Sequence, residues 1–243
     1  MSYDLTKFKH GLEELNITLT DEQIEQFLQY YEMLVEKNKV MNLTGITEYE
    51  EVIQKHFLDS LSLIRVIPDI ASQKLTVIDL GTGAGFPGIP LKIAFPELEI
   101  TLMDSLNKRI LFLQEVIDAL GLKKVSAVHG RAEEMASNAT HRQQYDLCVS
   151  RAVSNLAVLT EYCLPFVKKG GLFVSYKSAD SDAEIQEGKK AISILGGKLT
   201  SVDKFQLPDS DLRRALVCIK KVKDTPKKYP RKAGLPSKEP LKK

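Results

Sequence analysis

The sequence is poor in residues that bind metals or form cross-links: its 243 residues include three cysteines and four histidines. Cys148, Cys163 and Cys218 sit among apolar neighbours, and none has metal-ligand spacing. They are expected to be reduced core residues, which argues against a zinc site or a disulfide framework. No apolar run is long enough to span a bilayer. The first ten residues hold no apolar segment of the kind found in secretory signals. Neither membrane anchorage nor export is therefore expected, and the expected location is the cytoplasm. There is no internal repeat, and no histidine is paired with an acid in a way that announces a general base. What remains is an ordinary soluble composition, 43% hydrophobic and 27% charged. The length suits one α/β domain with an extension and is too short for two large domains. No pattern fixes an oligomeric state, and a monomer is expected.

The net charge of +2 conceals an asymmetry. Residues 220–243 carry ten Lys and Arg against two acids, a net of +8, which leaves −6 on the rest of the chain. A basic tail on an acidic body suits a polyanionic partner. Charge alone favours a solvated, disordered end.

The first 74 residues read as a helical extension. Thr20-Asp-Glu-Gln23 is a capping box. Ile24, Phe27, Leu28, Tyr31, Leu34 and Val35 then recur at helical spacing. Thr47-Glu-Tyr-Glu50 reads as a second capping box, ahead of Val52, Ile53, Phe57, Leu58, Leu61 and Ile64 on one face. Pro68 ends that pattern.

Residues 75–222 alternate strands with helices. Strands are expected at Leu75–Leu80, Leu98–Met103, Val125–Val128, Leu147–Ser150 and Leu172–Tyr176, the last after a Lys169-Gly170-Gly171 turn. Lys108–Leu120 and Ile185–Leu195 read as helices. Such alternation implies an α/β fold, a parallel sheet covered by helices on both faces. Two further strands, Leu199–Phe205 and Ala215–Lys220, have no helical period between them and should pair as an antiparallel hairpin. A mostly parallel seven-stranded sheet ending that way resembles class I methyltransferases more than dinucleotide dehydrogenases.

Val77-Ile-Asp-Leu-Gly-Thr-Gly-Ala-Gly-Phe-Pro-Gly88 is the most informative segment. A strand runs into Gly81, Gly83 and Gly85, where the backbone can turn tightly and approach a ligand without a Cβ in the way. Residues 83–88 also fit G-x-G-x-x-G, so a nicotinamide-dependent oxidoreductase stands as an alternative. Asp104 closes the second strand, where an acid can accept from both ribose hydroxyls or cap the following helix. Ala132 and Glu133 follow the third strand; Glu133 is either a ligand contact or a helix-start acid. Arg151 follows the fourth, either facing the cleft as a bidentate anion holder or paired with a surface acid.

Asp79-Leu-Gly-Thr-Gly-Ala-Gly-Phe-Pro-Gly88, Asp104-Ser-Leu-Asn-Lys-Arg109, Arg131-Ala-Glu133, Ser150-Arg-Ala-Val153 and Lys227-Lys-Tyr-Pro-Arg-Lys232 occur in that order, preceded by Asn42-Leu-Thr44 and Lys55-His-Phe-Leu-Asp-Ser60. Together, over nearly the whole chain, they resemble the bacterial small-subunit ribosomal RNA guanine-N7 methyltransferase family, formerly called glucose-inhibited division protein B. The resemblance implies an S-adenosylmethionine-dependent enzyme that methylates N7 of a guanine in the decoding-centre loop of 16S rRNA. It places cofactor contacts on Gly81, Phe86, Ala132, Glu133 and Arg151, with Asp104 at the ribose and Gly83 in the same turn. N7 carries its own lone pair, so the reaction needs alignment and no general base. Among the histidines only His56 is a plausible site residue, beside Asn42, Asp59 and Ser60; a locally hydrogen-bonded helix histidine is the plainer reading. Lys227, Lys228, Tyr229, Arg231 and Lys232 alternate cations with a stacking ring, so the tail, residues 223–243, is expected to order on rRNA of the small ribosomal subunit. The family's usual Trp before the Asn-Leu-Thr turn is missing here, with Lys37 near its place, a change expected to touch packing and not chemistry. Transfer to another RNA site remains the alternative within the class.

Overall fold

A computed structural model describes residues 3–151 and 154–242. The apolar runs become seven strands in one sheet: β1 (Thr76–Leu80), β2 (Glu99–Asp104), β3 (Val125–His129), β4 (Tyr145–Ser150), β5 (Val167–Ser178), β6 (Gly197–Gln206) and β7 (Arg213–Lys221). Their spatial order is β3-β2-β1-β4-β5-β7-β6. The first five are parallel, and β7 runs antiparallel to both β5 and β6. β5 begins earlier than expected: the Lys169-Gly170-Gly171 turn lies inside the strand as an irregularity, where its register against β4 shifts between Tyr145 and Leu147. A bulge, with Gly170 at φ +88°, absorbs the extra residues without ending the strand.

The central strands are buried on both faces, so successive residues serve opposite cores. Val77 packs with Ile100, Leu102, Val149 and Val174 on one side. Ile78 packs with Met103, Cys148, Phe173 and Val217 on the other. The first side is covered by α1 (Thr6–Glu14), α2 (Asp21–Met41), α3 (Tyr49–Val52), a π turn at Ile53–Leu58, α4 (Asp59–Leu61), α5 (Gly88–Ala94) and α6 (Asn107–Ala119). Past α7 (Ala132–Met135), the second side carries α8 (Leu156–Cys163) and α9 (Asp182–Ile194), with a last turn, α10 (Leu235–Lys238), outside them. Cys148, Cys163 and Cys218 are free and buried. No described helix is long and apolar enough to cross a membrane.

The Thr20–Gln23 capping box forms in full, and the Gln23 amide also donates to the Ile93 carbonyl at 2.7 Å, tying α2 to α5. The second capping box does not form. The helix starts at Tyr49 after Glu48, with no side-chain cap, and the Thr47 carbonyl instead accepts from the Tyr31 hydroxyl. The apolar face beyond it does form: Val52, Ile53, Phe57, Leu58 and Leu61 are buried and Ile64 packs on the same core, with a π turn running through the segment. On α2 the fully buried residues are Phe27, Tyr30 and Leu34. Tyr30, missed by the expected face, donates to the Ala84 carbonyl at 2.6 Å, inside the glycine-rich turn. Lys37 joins α2 to α6 through Glu115 at 2.6 and 2.8 Å.

Tyr30→Phe should leave that buried carbonyl without its donor and cost about 1 kcal/mol. A lower urea midpoint with an unchanged slope is the expected readout; an unmoved midpoint would show that α2 does not hold the turn.

Candidate functional site

The turn after β1 is pinned from below and from the side. Asp79, fully buried, accepts from the Thr82 hydroxyl at 2.7 Å and the Gly88 amide at 2.8 Å through one carboxylate oxygen. Its other oxygen is buried with no partner among the described residues. Burial pushes the Asp79 carboxyl up to about 7, against the two hydrogen bonds that favour its charge. From β2, Asp104 accepts the Gly83 amide at 3.0 Å.

The glycines have different tasks. Gly83 has φ +63°, and a Cβ there would meet nothing within 4 Å, because it would project into the cleft. Gly85 has φ +110°, and its Cβ would collide with Ile89 and the Tyr30 hydroxyl at 2.7 Å. Gly88 would meet Leu102 of β2 at 2.2 Å. Gly83 keeps open space that a ligand can fill; Gly85 and Gly88 allow packing.

Asp104 is 3% exposed. One oxygen accepts from Gly83 and from Arg109 at 3.1 Å, the other from the Leu106 amide at 2.9 Å. It does not cap α6, whose N-cap is Leu106 with no side-chain bond. The carboxylate spends itself on shaping the turn and keeps one lone pair, on the oxygen bonded to Leu106, for another donor.

Arg151 leaves the end of β4; the following Ala152 and Val153 lie outside the described residues. It is neither a surface arginine nor a free clamp. Its guanidinium donates to Asp59 at 2.9 Å and to the Lys55 carbonyl at 3.1 Å, and meets His56 Nδ1 at 3.1 Å. Asp59, 3% exposed, takes Arg214 of β7 on its other oxygen at 3.2 Å. A guanidinium only donates, so His56 Nδ1 accepts, and its Nε2–H donates to the Thr44 hydroxyl at 2.9 Å. Burial, with the Arg151 charge second, pushes His56 down to about 3, so the ring is neutral. It stacks on Phe86 at 4.4 Å, and Arg151 lies 5.1 Å above the same ring.

Gly81, Gly83, Phe86, Asp104, Ala132, Glu133 and Arg151 all line one cleft of about 900 Å³. It lies beyond the carboxyl ends of the parallel strands, where open α/β sheets bind ligands. Its far end, past Arg151, is lined by Lys55, Asp59, Tyr176, Ser178 and Arg214. Asn42 and Ser60 are not part of it. Asn42 is exposed and ends α2 with φ +48°, while Ser60 is buried and donates to the His56 carbonyl. Sequence reasoning missed Tyr176, whose buried hydroxyl donates to the Ser60 carbonyl at 2.8 Å, and gave Arg109 and Arg214 no role.

The tail corrects two expectations. It is folded onto the body without RNA. Tyr229 is buried, so its ring offers no stacking face. Arg231 grips Glu161, which is 0% exposed, with contacts of 2.7 to 3.2 Å, so its charge is already spent. Lys227, Lys228 and Lys232 are exposed.

The strand order, the glycine turn after β1 and the acid closing β2 define a class I methyltransferase, whose cofactor is S-adenosylmethionine. The open cradle at Gly83 and the spare lone pair of Asp104 suit a nucleoside with ribose hydroxyls. The family described as GidB, rRNA small subunit methyltransferase G, matches residues 23–216, and the chain belongs to it. A ribosomal RNA small subunit methyltransferase G from Lachnoclostridium phytofermentans is 57% identical over 238 residues, 98% of each chain. Its counterpart from Alkaliphilus metalliredigens is 54% identical, covering 96% of this chain and 97% of that one. Among solved structures, a 16S rRNA (adenine(1408)-N(1))-methyltransferase from Catenulisporales acidiphilia with SAM shares the fold at TM-score 0.51 and 15% identity, covering 67% of this chain and 92% of that one.

Gly83→Val puts a branched side chain into the space the turn leaves open and strains a left-handed backbone. Titration with S-adenosylhomocysteine should show affinity reduced at least about a hundredfold. Affinity within about threefold of wild type would remove Gly83 from the binding surface.

Proposed function

We propose that this chain methylates N7 of a guanine in the decoding-centre loop of 16S rRNA, with S-adenosylmethionine as donor. On this reading residues 75–222 form the methyltransferase unit, residues 1–74 complete its cleft, and residues 223–243 are a basic tail packed on it. The observation that carries the reading is what the cleft does with its histidine. Both nitrogens of His56 are engaged and the ring is held neutral, so it neither takes nor gives a proton. Such a site suits a nucleophile with its own lone pair. S-adenosylmethionine supplies an electrophilic methyl group on a cationic sulfur. The protein's part is alignment: the turn at Gly81–Phe86 and Asp104 hold the nucleoside end, and Glu133 faces the base. Arg151 braces Phe86 and His56.

Charge fits as well. Donor and product ring are both cationic, and a bare guanidinium beside them would repel both. Asp59 sits between Arg151 and Arg214 and offsets that charge. Guanine N7 lies in the deep, narrow groove of A-form RNA, so the target base must come from a loop. Lys227, Lys228 and Lys232 remain the candidates for phosphate contacts, and binding through them would weaken with salt. Nothing in the cleft favours the nicotinamide reading.

Labelled S-adenosylmethionine, the protein and small ribosomal subunits lacking their native methylation make the test, followed by digestion of the RNA to nucleosides. Label is expected in 7-methylguanosine. Label in another nucleoside would overturn the base and atom, and no label at all would overturn the reaction.

A further inference from the structure

The tail is expected to serve RNA, yet two of its residues bond side chains that line the cleft. After β7 the chain is fastened by buried polar anchors. Arg142 donates to the carbonyls of Thr225 and Tyr229, each at 2.9 Å. Thr225 donates to the Leu195 carbonyl at 2.8 Å. Tyr229 joins the apolar core under α8, and Arg231 pairs with the buried Glu161 of α8. These contacts carry the next residues over α8 to the rim of the cleft. There the Gly234 amide donates to Glu133 at 3.0 Å, and the Ser237 hydroxyl bonds the Tyr162 hydroxyl at 2.9 Å. Glu133 and Tyr162 both line the cleft.

We propose that residues 229–238 brace the wall of the cofactor cleft from behind, with Gly234 as a positioning residue for Glu133 and Arg231 as the anchor that brings Gly234 there. The proposal rests on the cleft being the S-adenosylmethionine site. Glu133 sits on a helix of four residues and has three side-chain torsions, so left alone it samples many rotamers. The Gly234 amide fixes one carboxylate oxygen and leaves the other to accept a hydrogen bond. An exocyclic amine on a purine is a donor of the right kind; a 6-oxo group at that place is an acceptor and would meet the carboxylate's lone pairs. The brace therefore serves purine selectivity through preorganisation, not through a contact of its own. Gly234 has φ +81°, and a Cβ there would meet nothing, so glycine is required for the direction of the amide and not for space.

Arg231 itself is a poor test, because removing it strands the buried Glu161 charge and endangers the fold. A chain ending at Ala233 keeps that pair and loses Gly234 and Ser237. Calorimetric titration with S-adenosylhomocysteine and with its 6-oxo analogue, S-inosylhomocysteine, gives the readout. Wild type should prefer the 6-amino compound by about tenfold or more. In the shortened chain that preference should fall to about twofold or less, with the 6-oxo affinity changed by less than about threefold. A preserved preference would overturn the proposal. If the shortened chain fails to fold, Gly234→Pro in the full chain removes the same amide, turns the backbone there away from its φ of +81°, and is judged by the same ratio. Glu133→Gln, which turns one acceptor into a donor, should lose or invert the preference in the full chain. If wild type binds neither compound, the cofactor reading of the cleft fails instead.

Discussion

The site depends on one buried carboxylate. Asp59 lies 3% exposed between two guanidinium groups, one from the end of β4 and one from β7. A buried charge of this kind is costly unless it is paired and hydrogen-bonded, and losing one partner leaves the others uncompensated. Satisfying it requires the N-terminal helices to lie across the carboxyl edge of the sheet. It also requires Arg151 to reach back over Phe86, which places His56 and Phe86 face to face. One ionic knot therefore joins the helical extension, the glycine turn and the terminal hairpin, three of the parts that line the cleft.

The second constraint is the pair of acids that hold the turn. Asp79 ties it to the helix below and Asp104 ties it to β2, so the Gly83 backbone is fixed before any ligand arrives. Preorganisation is what an alignment-only reaction demands. Arg151 and Arg214 share Asp59, Arg109 pairs with Asp104, Lys177 pairs with Glu184, and the histidine is kept neutral. His56 therefore presents no competing base to a cationic methyl donor.

Much of this architecture was legible. Strand alternation at Leu75–Leu80 and Leu98–Met103, the three glycines after β1 and the acid after β2 follow local rules that act over a few residues. The parts that were not legible are non-local. Nothing near Asp59 announces Arg151 and Arg214, 92 and 155 residues away. Thr47–Glu50 matches a capping box, but the Thr47 carbonyl is drawn to Tyr31 and the helix winds into a π turn, in which the Lys55 carbonyl accepts from Arg151. The tail misled for a related reason. The net charge of +8 over residues 220–243 suggests a solvated end, whereas its docking rests on single residues, Tyr229 in the core and Arg231 on Glu161, which a charge count averages away.

The most direct measurement is a crystal structure of the protein with S-adenosylhomocysteine. The account predicts the ribose at the free lone pair of Asp104, the adenine between Phe86 and the Ala132–Glu133 turn, and Arg151 still bound to Asp59. A nucleoside bound elsewhere, or an Arg151 released from Asp59 to clasp the ligand, would contradict it.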